Sequence, residues 1–136
     1  MEDCIFCKIV KGEVKSWRVY EDENVYAFFD IHPANKYHTL VIPKKHYQDI
    51  FDIPKEELGQ VMSVVKELAN LYEDKLGIKN VQIINSSGTE AQQDVFHIHF
   101  HLVPRNKGDN QDIKWSTHPE LVTEYDKMLN DLKNQK

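Results

Sequence analysis

Phe96-His97-Ile98-His99-Phe100-His101-Leu102-Val103 is the stretch on which the reading of this chain turns, because three histidines alternate strictly with apolar residues. On a β-strand alternate side chains share a face. The pattern therefore predicts a strand, spanning Val95–Val103, with three imidazoles on one side and Ile98, Phe100 and Leu102 turned into a core. The alternation by itself also describes a half-buried strand with a solvated histidine face. Histidine is not a preferred strand former, however, and three in register call for a chemical reason. A single metal ion shared by all three is a poor one. Same-face neighbours stand about 6.8 Å apart and the outer two about 13 Å apart, against metal–nitrogen bonds of about 2 Å. One ion would take two of them at most, so divided labour is expected, with one histidine structural and its neighbours catalytic. Neutral imidazole attacks phosphorus without a strong base and leaves again readily, which makes a covalent phospho-histidine intermediate the expected chemistry.

Just upstream, Ser86-Ser87-Gly88-Thr89-Glu90-Ala91-Gln92-Gln93 reads as a polar loop whose amides and hydroxyls suit phosphate oxygens, although most such loops are only turns. Val81–Ile84 reads as a strand leading into it. Towards the N-terminus, Arg18–Glu21 and Val25–Asp30 flank the acidic turn Asp22–Asn24, a hairpin pattern, and His38–Ile42 forms a third strand closed by Pro43. Between the strands, Leu58, Val61, Met62, Val65, Leu68, Ala69, Tyr72 and Leu76 recur at helical spacing, with Pro54 suited to the first turn and Gly77 to the stop. A second stripe, Leu121, Val122, Tyr125, Met128, Leu129 and Leu132, predicts a C-terminal helix over Pro119–Leu132. Together these elements predict one α+β domain over residues 1–136, built on an antiparallel sheet.

Composition sets bounds on function. The chain has 136 residues, 40% of them hydrophobic, enough for one modest core. A net charge of −5 with well-mixed signs argues against nucleic-acid binding but leaves room for a local anion site. The opening MEDCIFCKIV lacks the basic-then-apolar pattern of a signal peptide, and no later run approaches membrane-spanning length, so a cytoplasmic protein is expected. Both cysteines, Cys4 and Cys7, fall in one C-x-x-C spacing, which in a reducing compartment points to metal binding or redox chemistry.

His97-Ile98-His99-Phe100-His101-Leu102-Val103 resembles the full signature of the histidine-triad (HIT) superfamily of nucleotide hydrolases and transferases. Cys4-Ile5-Phe6-Cys7-Lys8-Ile9, Tyr20-Glu21-Asp22, Ala27-Phe28-Phe29-Asp30-Ile31 and His38-Thr39-Leu40-Val41-Ile42-Pro43-Lys44-Lys45-His46 are similar to its other blocks, in the same order. They cover roughly residues 3 to 106, and the likeness is to the bacterial Hint-like branch; the tail from Lys107 matches poorly. The resemblance implies a purine nucleotide substrate, a phosphoramidate or a dinucleoside polyphosphate, attacked at its α-phosphate by His99. It implies that His101 and His38 flank the phosphate, that Asp30 holds the ribose hydroxyls, and that Phe6, Ile9, Phe28, Ile31 and Leu40 enclose the purine. It also implies a structural zinc ion on Cys4, Cys7, His46 and His97, and a homodimer in which the C-terminal part of one subunit approaches the other's site.

The chain departs from the pattern just before the triad. Relatives usually read Ala-Gly-Gln-(Ser or Thr)-Val, whereas this chain reads Ala91-Gln92-Gln93-Asp94-Val95. Gln92 removes the conformational freedom of glycine, and Asp94 replaces a hydroxyl donor with a group that repels phosphate unless it turns away, is protonated or meets a cationic leaving group. Ser86 stands where Hint-like relatives often carry asparagine, beside Asn85. His32 and His118 lie outside all the blocks and read as turn and helix-start residues. A nucleotide sensor or partner-binding module with little turnover, and a histidine-ligated metalloenzyme, are the rival functional readings.

Overall fold

The computed structural model describes residues 3–134, arranged as one five-stranded antiparallel sheet with helices on both faces. The strands are β1 (Arg18–Glu21), β2 (Val25–Phe29), β3 (Thr39–Pro43), β4 (Val81–Ile84) and β5 (Phe100–Pro104), in the spatial order β1-β2-β3-β5-β4. Asp22 makes the first turn, its Oδ1 accepting from the backbone N–H groups of Asn24 and Val25 at 2.8 Å each. In β2, Val25 and Ala27 face one side while Tyr26 and Phe28 face the other, and all four are buried. A strand buried on both faces needs a cover on each side, and two helices of very different length provide it.

The long helix α2 (Lys55–Leu76) covers one face. Its apolar stripe of Val61, Val64, Val65, Leu68 and Tyr72 packs against Val25, Ala27, Val41, Ile98, Phe100 and Leu102. Fully burying each such aliphatic side chain contributes about 1.5–3 kcal/mol. Pro54 is the N-cap rather than a first-turn residue, Glu56 and Glu57 favour the positive end of the helix dipole, and Gly77 stops the helix in the left-handed conformation at φ 69°. Near the helix end, Tyr72 Oη lies 2.6 Å from Thr39 Oγ1, joining α2 to β3 in the interior.

The short helix α1 (Ile5–Val10) covers part of the other face. Phe6 and Ile9 meet Tyr26, Phe28, Leu40 and Ile42 there. The sheet is not sealed on this side, and the gap becomes the site described below.

Three sequence expectations need correction. The triad strand is shorter than Val95–Val103: only Phe100–Pro104 is strand, pairing with β3 through Phe100, His101 and Leu102 and with β4 through His101 to Pro104. Residues 95–99 have no ladder partner: the β3–β5 pairing stops at Val41 and Phe100, although β3 itself runs on to Pro43 beside β2. The Ile98 N–H instead donates to Tyr47 O at 2.7 Å. The strand limits at Asp30 and His38 also retreat, since Asp30 N–H donates to His38 O across the loop mouth at 3.0 Å without continuing the ladder. Finally, the C-terminal helix divides into a 3₁₀ segment, Pro119–Glu124, and α3 (Tyr125–Lys133). Its stripe is not buried at all: Leu121, Val122, Tyr125, Met128, Leu129 and Leu132 are between 38% and 73% exposed. No helix among the described residues is long and apolar enough to cross a membrane.

Candidate active site

Ile98, Phe100 and Leu102 enter the core under α2, so His97, His99 and His101 lie on the opposite side of the same segment. The alternation thus survives without a continuous strand, but the three rings do different things. His97 is fully buried and turns its Nδ1 towards Cys4 Sγ at 3.4 Å and Cys7 Sγ at 3.5 Å. His46 Nδ1 approaches Cys7 Sγ at 3.4 Å, and one ligand atom from each of the four residues falls within 4.8 Å of the others.

This cluster meets the demands of a tetrahedral ion. Bonds of about 2.3 Å to sulfur and about 2.0 Å to nitrogen place sulfur and nitrogen ligands about 3.5 Å apart at a tetrahedral centre. The His97 Nε2–H donates to Pro43 O at 2.8 Å, which leaves the Nδ1 lone pair facing the sulfurs. Such a second hydrogen bond is what orients a metal-bound imidazole. Burial pushes His97 down to about 4, so the ring is neutral, as a ligand must be.

His99 is also buried, and its tautomer follows from its partners. Nδ1 lies 2.8 Å from His97 O, a carbonyl that only accepts, so Nδ1 carries the proton and Nε2 the lone pair. Nothing among the described residues hydrogen-bonds that Nε2, and the nearest charged atom is Asp94 Oδ1 at 3.6 Å. Asn85 Nδ2 donates to His99 O at 3.0 Å and so fixes the backbone that carries the ring.

A relay of the same kind sets His101. Ala34 N–H donates to His38 Nδ1 at 2.9 Å, so His38 Nε2 must bear the proton and donate it to His101 Nδ1, also at 2.9 Å. His101 Nε2–H is then free to donate. Burial first, then the neighbouring His99 and His38, push His101 down to about 4, keeping it neutral. Asp30 Oδ2 stands 3.5 Å from His38 Nε2 and 3.9 Å from His101 Nδ1. These three residues could be mistaken for a metal site. An ion there would need the His38 Nε2 lone pair, which the Ala34 contact rules out.

The open side of the sheet holds a cavity of about 300 Å³ bounded by Phe6, Ile9, Phe28, Ile31 and Leu40, with Asp30, Asp94, His99 and His101 on its rim. The structure therefore brings together the apolar residues expected around a purine, the acid expected at the ribose and two of the three histidines expected at phosphate. Phe6 meets His99 edge to face with centroids 5.2 Å apart, so α1 also sets the ring's tilt.

Other expected site residues lie elsewhere. His38 does not flank the cavity: it is 6% exposed behind His101, and acts on the site through that ring. Ser86 faces a different groove along β4, because the chain turns outward after Ile84. Gln93 is buried with its amide spent internally, Oε1 accepting from Gly88 N–H at 2.7 Å and Nε2 donating to Gln48 O and Val95 O at 2.7 and 3.1 Å. It shapes the loop and has no donor left for phosphate. Asn85 and Ala34 were not singled out by sequence reasoning; both act through contacts whose partners are distant in the chain or are backbone atoms.

Gln92 adopts the left-handed conformation at φ 75° and ψ 27°, a region that glycine reaches without strain. Gln92→Gly should raise stability by about 0.5–1 kcal/mol, the left-handed penalty less the extra entropy glycine loses on folding. A denaturation midpoint shifted down instead would show that the Gln92 side chain makes a compensating contact.

A HIT domain family profile matches residues 11–108. Among curated relatives, adenosine 5'-monophosphoramidase HNT1 of Saccharomyces cerevisiae is 40% identical over 126 residues, covering 92% of this chain and 75% of the yeast protein. A HIT family protein from Bacillus anthracis superposes with a TM-score of 0.88 at 38% identity, over 98% of this chain and 96% of that one. A Zn-bound histidine triad family protein from Mycobacterium smegmatis superposes with a TM-score of 0.77 at 34% identity, over 96% and 98%. With the match spanning the sheet, the cavity and all three histidines, the chain belongs to the HIT family.

Proposed function

We propose that this protein hydrolyses the phosphorus–nitrogen bond of purine nucleoside phosphoramidates, with His99 as the nucleophile. One observation carries the reading: a buried imidazole whose Nδ1–H is committed to a carbonyl presents an unpaired Nε2 at the rim of an apolar, nucleoside-sized cavity. The likeness to a yeast adenosine 5'-monophosphoramidase supports the same reaction class. The base occupies the apolar cavity and Asp30 accepts from the ribose hydroxyls. His99 Nε2 bonds to the α-phosphorus as the phosphorus–nitrogen bond breaks, and the amine leaves with that electron pair and a proton from solvent. Water then adds to phosphorus, the bond to His99 breaks, and the monophosphate is released as a proton returns to solvent. His101 Nε2–H donates to a phosphoryl oxygen throughout, steadying the charge that builds there.

Cys4, Cys7, His46 and His97 hold a structural zinc ion in this reading. The set is closed, with four protein ligands and no open position, so the ion supplies cohesion and does not activate water. It joins α1, the loop after β3 and the segment before β5. A second copy of the chain covers the apolar tail and the exposed edge of β4, where Ile83 is 47% and Trp115 82% exposed. An open strand edge beside uncovered apolar residues is what a two-fold partner protects.

Four outcomes test this. His99→Ala should abolish turnover of an adenosine phosphoramidate while keeping nucleotide affinity within about tenfold, since only the covalent step is lost. Mass analysis of wild-type protein caught early with substrate should find the nucleotidyl group on His99, and an adduct on His101 would reassign the nucleophile. Purified protein should carry one zinc per chain, with Cys4→Ser lowering thermal stability more than activity per folded molecule; undiminished stability after metal removal would dispose of the zinc. Light scattering should give twice the chain mass, and a concentration-independent monomer would refute the dimer.

A further inference from the structure

The Asp94 carboxylate is the feature of the site that the reaction described above does not use. Its Oδ1 is 3.6 Å from His99 Nε2, the atom assigned above as the nucleophile, and the side chain is 81% exposed at the rim. The N–H of Val95 donates to the same Oδ1 at 2.8 Å, so the carboxylate is held against the nucleophile by its own backbone. Asp94 stands on a ridge shared by two depressions: the nucleoside cavity on one side and an open groove of about 420 Å³ on the other. That groove is walled by Ile5, Gln48, Val95 and Phe96, borders Cys4 and His46 of the cysteine–histidine cluster, and contains Asp3 and Asp94 but, among the described residues, no lysine or arginine.

We propose that Asp94 is a specificity-determining residue that selects leaving groups carrying a positive charge, and that the groove beside it receives them. The proposal rests on the phosphoramidase reading above and names the substrate class within it: nucleoside phosphoramidates of basic amines with an extended cationic tail. The physical argument is one of charge. A nucleotide phosphate brings negative charge beside Asp94, which disfavours binding. A cation in the leaving group pairs with the carboxylate and offsets the repulsion, whereas a polyphosphate or carboxylate tail adds to it. The apolar walls formed by Ile5 and Phe96, 41% and 42% exposed, suit the methylene stem of such a tail.

The test uses the intact protein and three adenosine phosphoramidates with tails of matched length, built on hexylamine, cadaverine and aminohexanoate, ending in methyl, ammonium and carboxylate. Wild type should prefer the ammonium over the carboxylate tail by about tenfold or more in kcat/KM, and the preference should shrink as salt is raised. Asp94→Asn should bring the three rates within about twofold of one another, lowering the ammonium compound and raising the carboxylate one, and Asp94→Glu should restore the order. A merely structural role would change all three rates in parallel. Indifference of wild type to tail charge, or an order unchanged in Asp94→Asn, overturns the proposal. If wild type cleaves none of the three, the phosphoramidase reading falls separately. The affinities of the same compounds for wild type and Asp94→Asn then decide the charge preference by the same criterion.

Discussion

The site depends on the burial of Ile98, Phe100 and Leu102 beneath α2. Each is an apolar side chain with almost no exposure, and the residues between them have no choice but to face the other way. A slip of one residue would put three histidines into an aliphatic core and three apolar side chains at the rim, at a cost of several kcal/mol. The packing of α2, which touches neither the cavity nor the cysteines, is therefore what aims the chemistry.

Aim alone does not set reactivity, and protonation is controlled by a different device. Three histidines each have one ring nitrogen committed to a backbone group: His97 to Pro43 O, His99 to His97 O and His38 to Ala34 N–H. A carbonyl demands a donor and an N–H demands an acceptor, so each contact decides which nitrogen is left with a lone pair. Two are left with a lone pair facing outward, one to the sulfurs and one to the cavity. Through His38, the third contact leaves His101 as a donor. Burial keeps His97 and His101 neutral, which preserves this division near neutral pH.

The cluster of Cys4, Cys7, His46 and His97 ties the site to the N-terminus. A helix of six residues has little stability of its own. Two sulfurs at its start converge on His46 and His97, and Phe6 between them meets both Phe28 and His99. The same helix thus closes one wall of the cavity and presses on the nucleophile's ring. Cohesion at the cysteines and geometry at His99 are coupled through one side chain.

Much of this was legible in the residues themselves. Alternation at 97–103 announced which side chains share a face, the spacing from Leu58 to Leu76 announced the long helix, and Asp22 and Gly77 marked a turn and a stop, because burial periodicity and backbone preference are local properties. The pairing of a cysteine couple with particular histidines came from likeness to a family, and the structure shows the four side chains converging. What only the tertiary structure decided is where the ladder stops and where side chains point once it has stopped. Residues 95–99 lose their strand because the chain leaves β3 after the Val41–Phe100 pair and the Ile98 N–H goes instead to Tyr47 O, fifty-odd positions away. The amide of Gln93 is spent on Gly88, Gln48 and Val95, His38 is set behind His101, Ser86 faces outward, and the stripe from Leu121 to Leu132 finds no core to enter. Each of these outcomes depends on a partner supplied by a distant part of the chain or left for another molecule to supply, and local pattern carries no record of that partner's position.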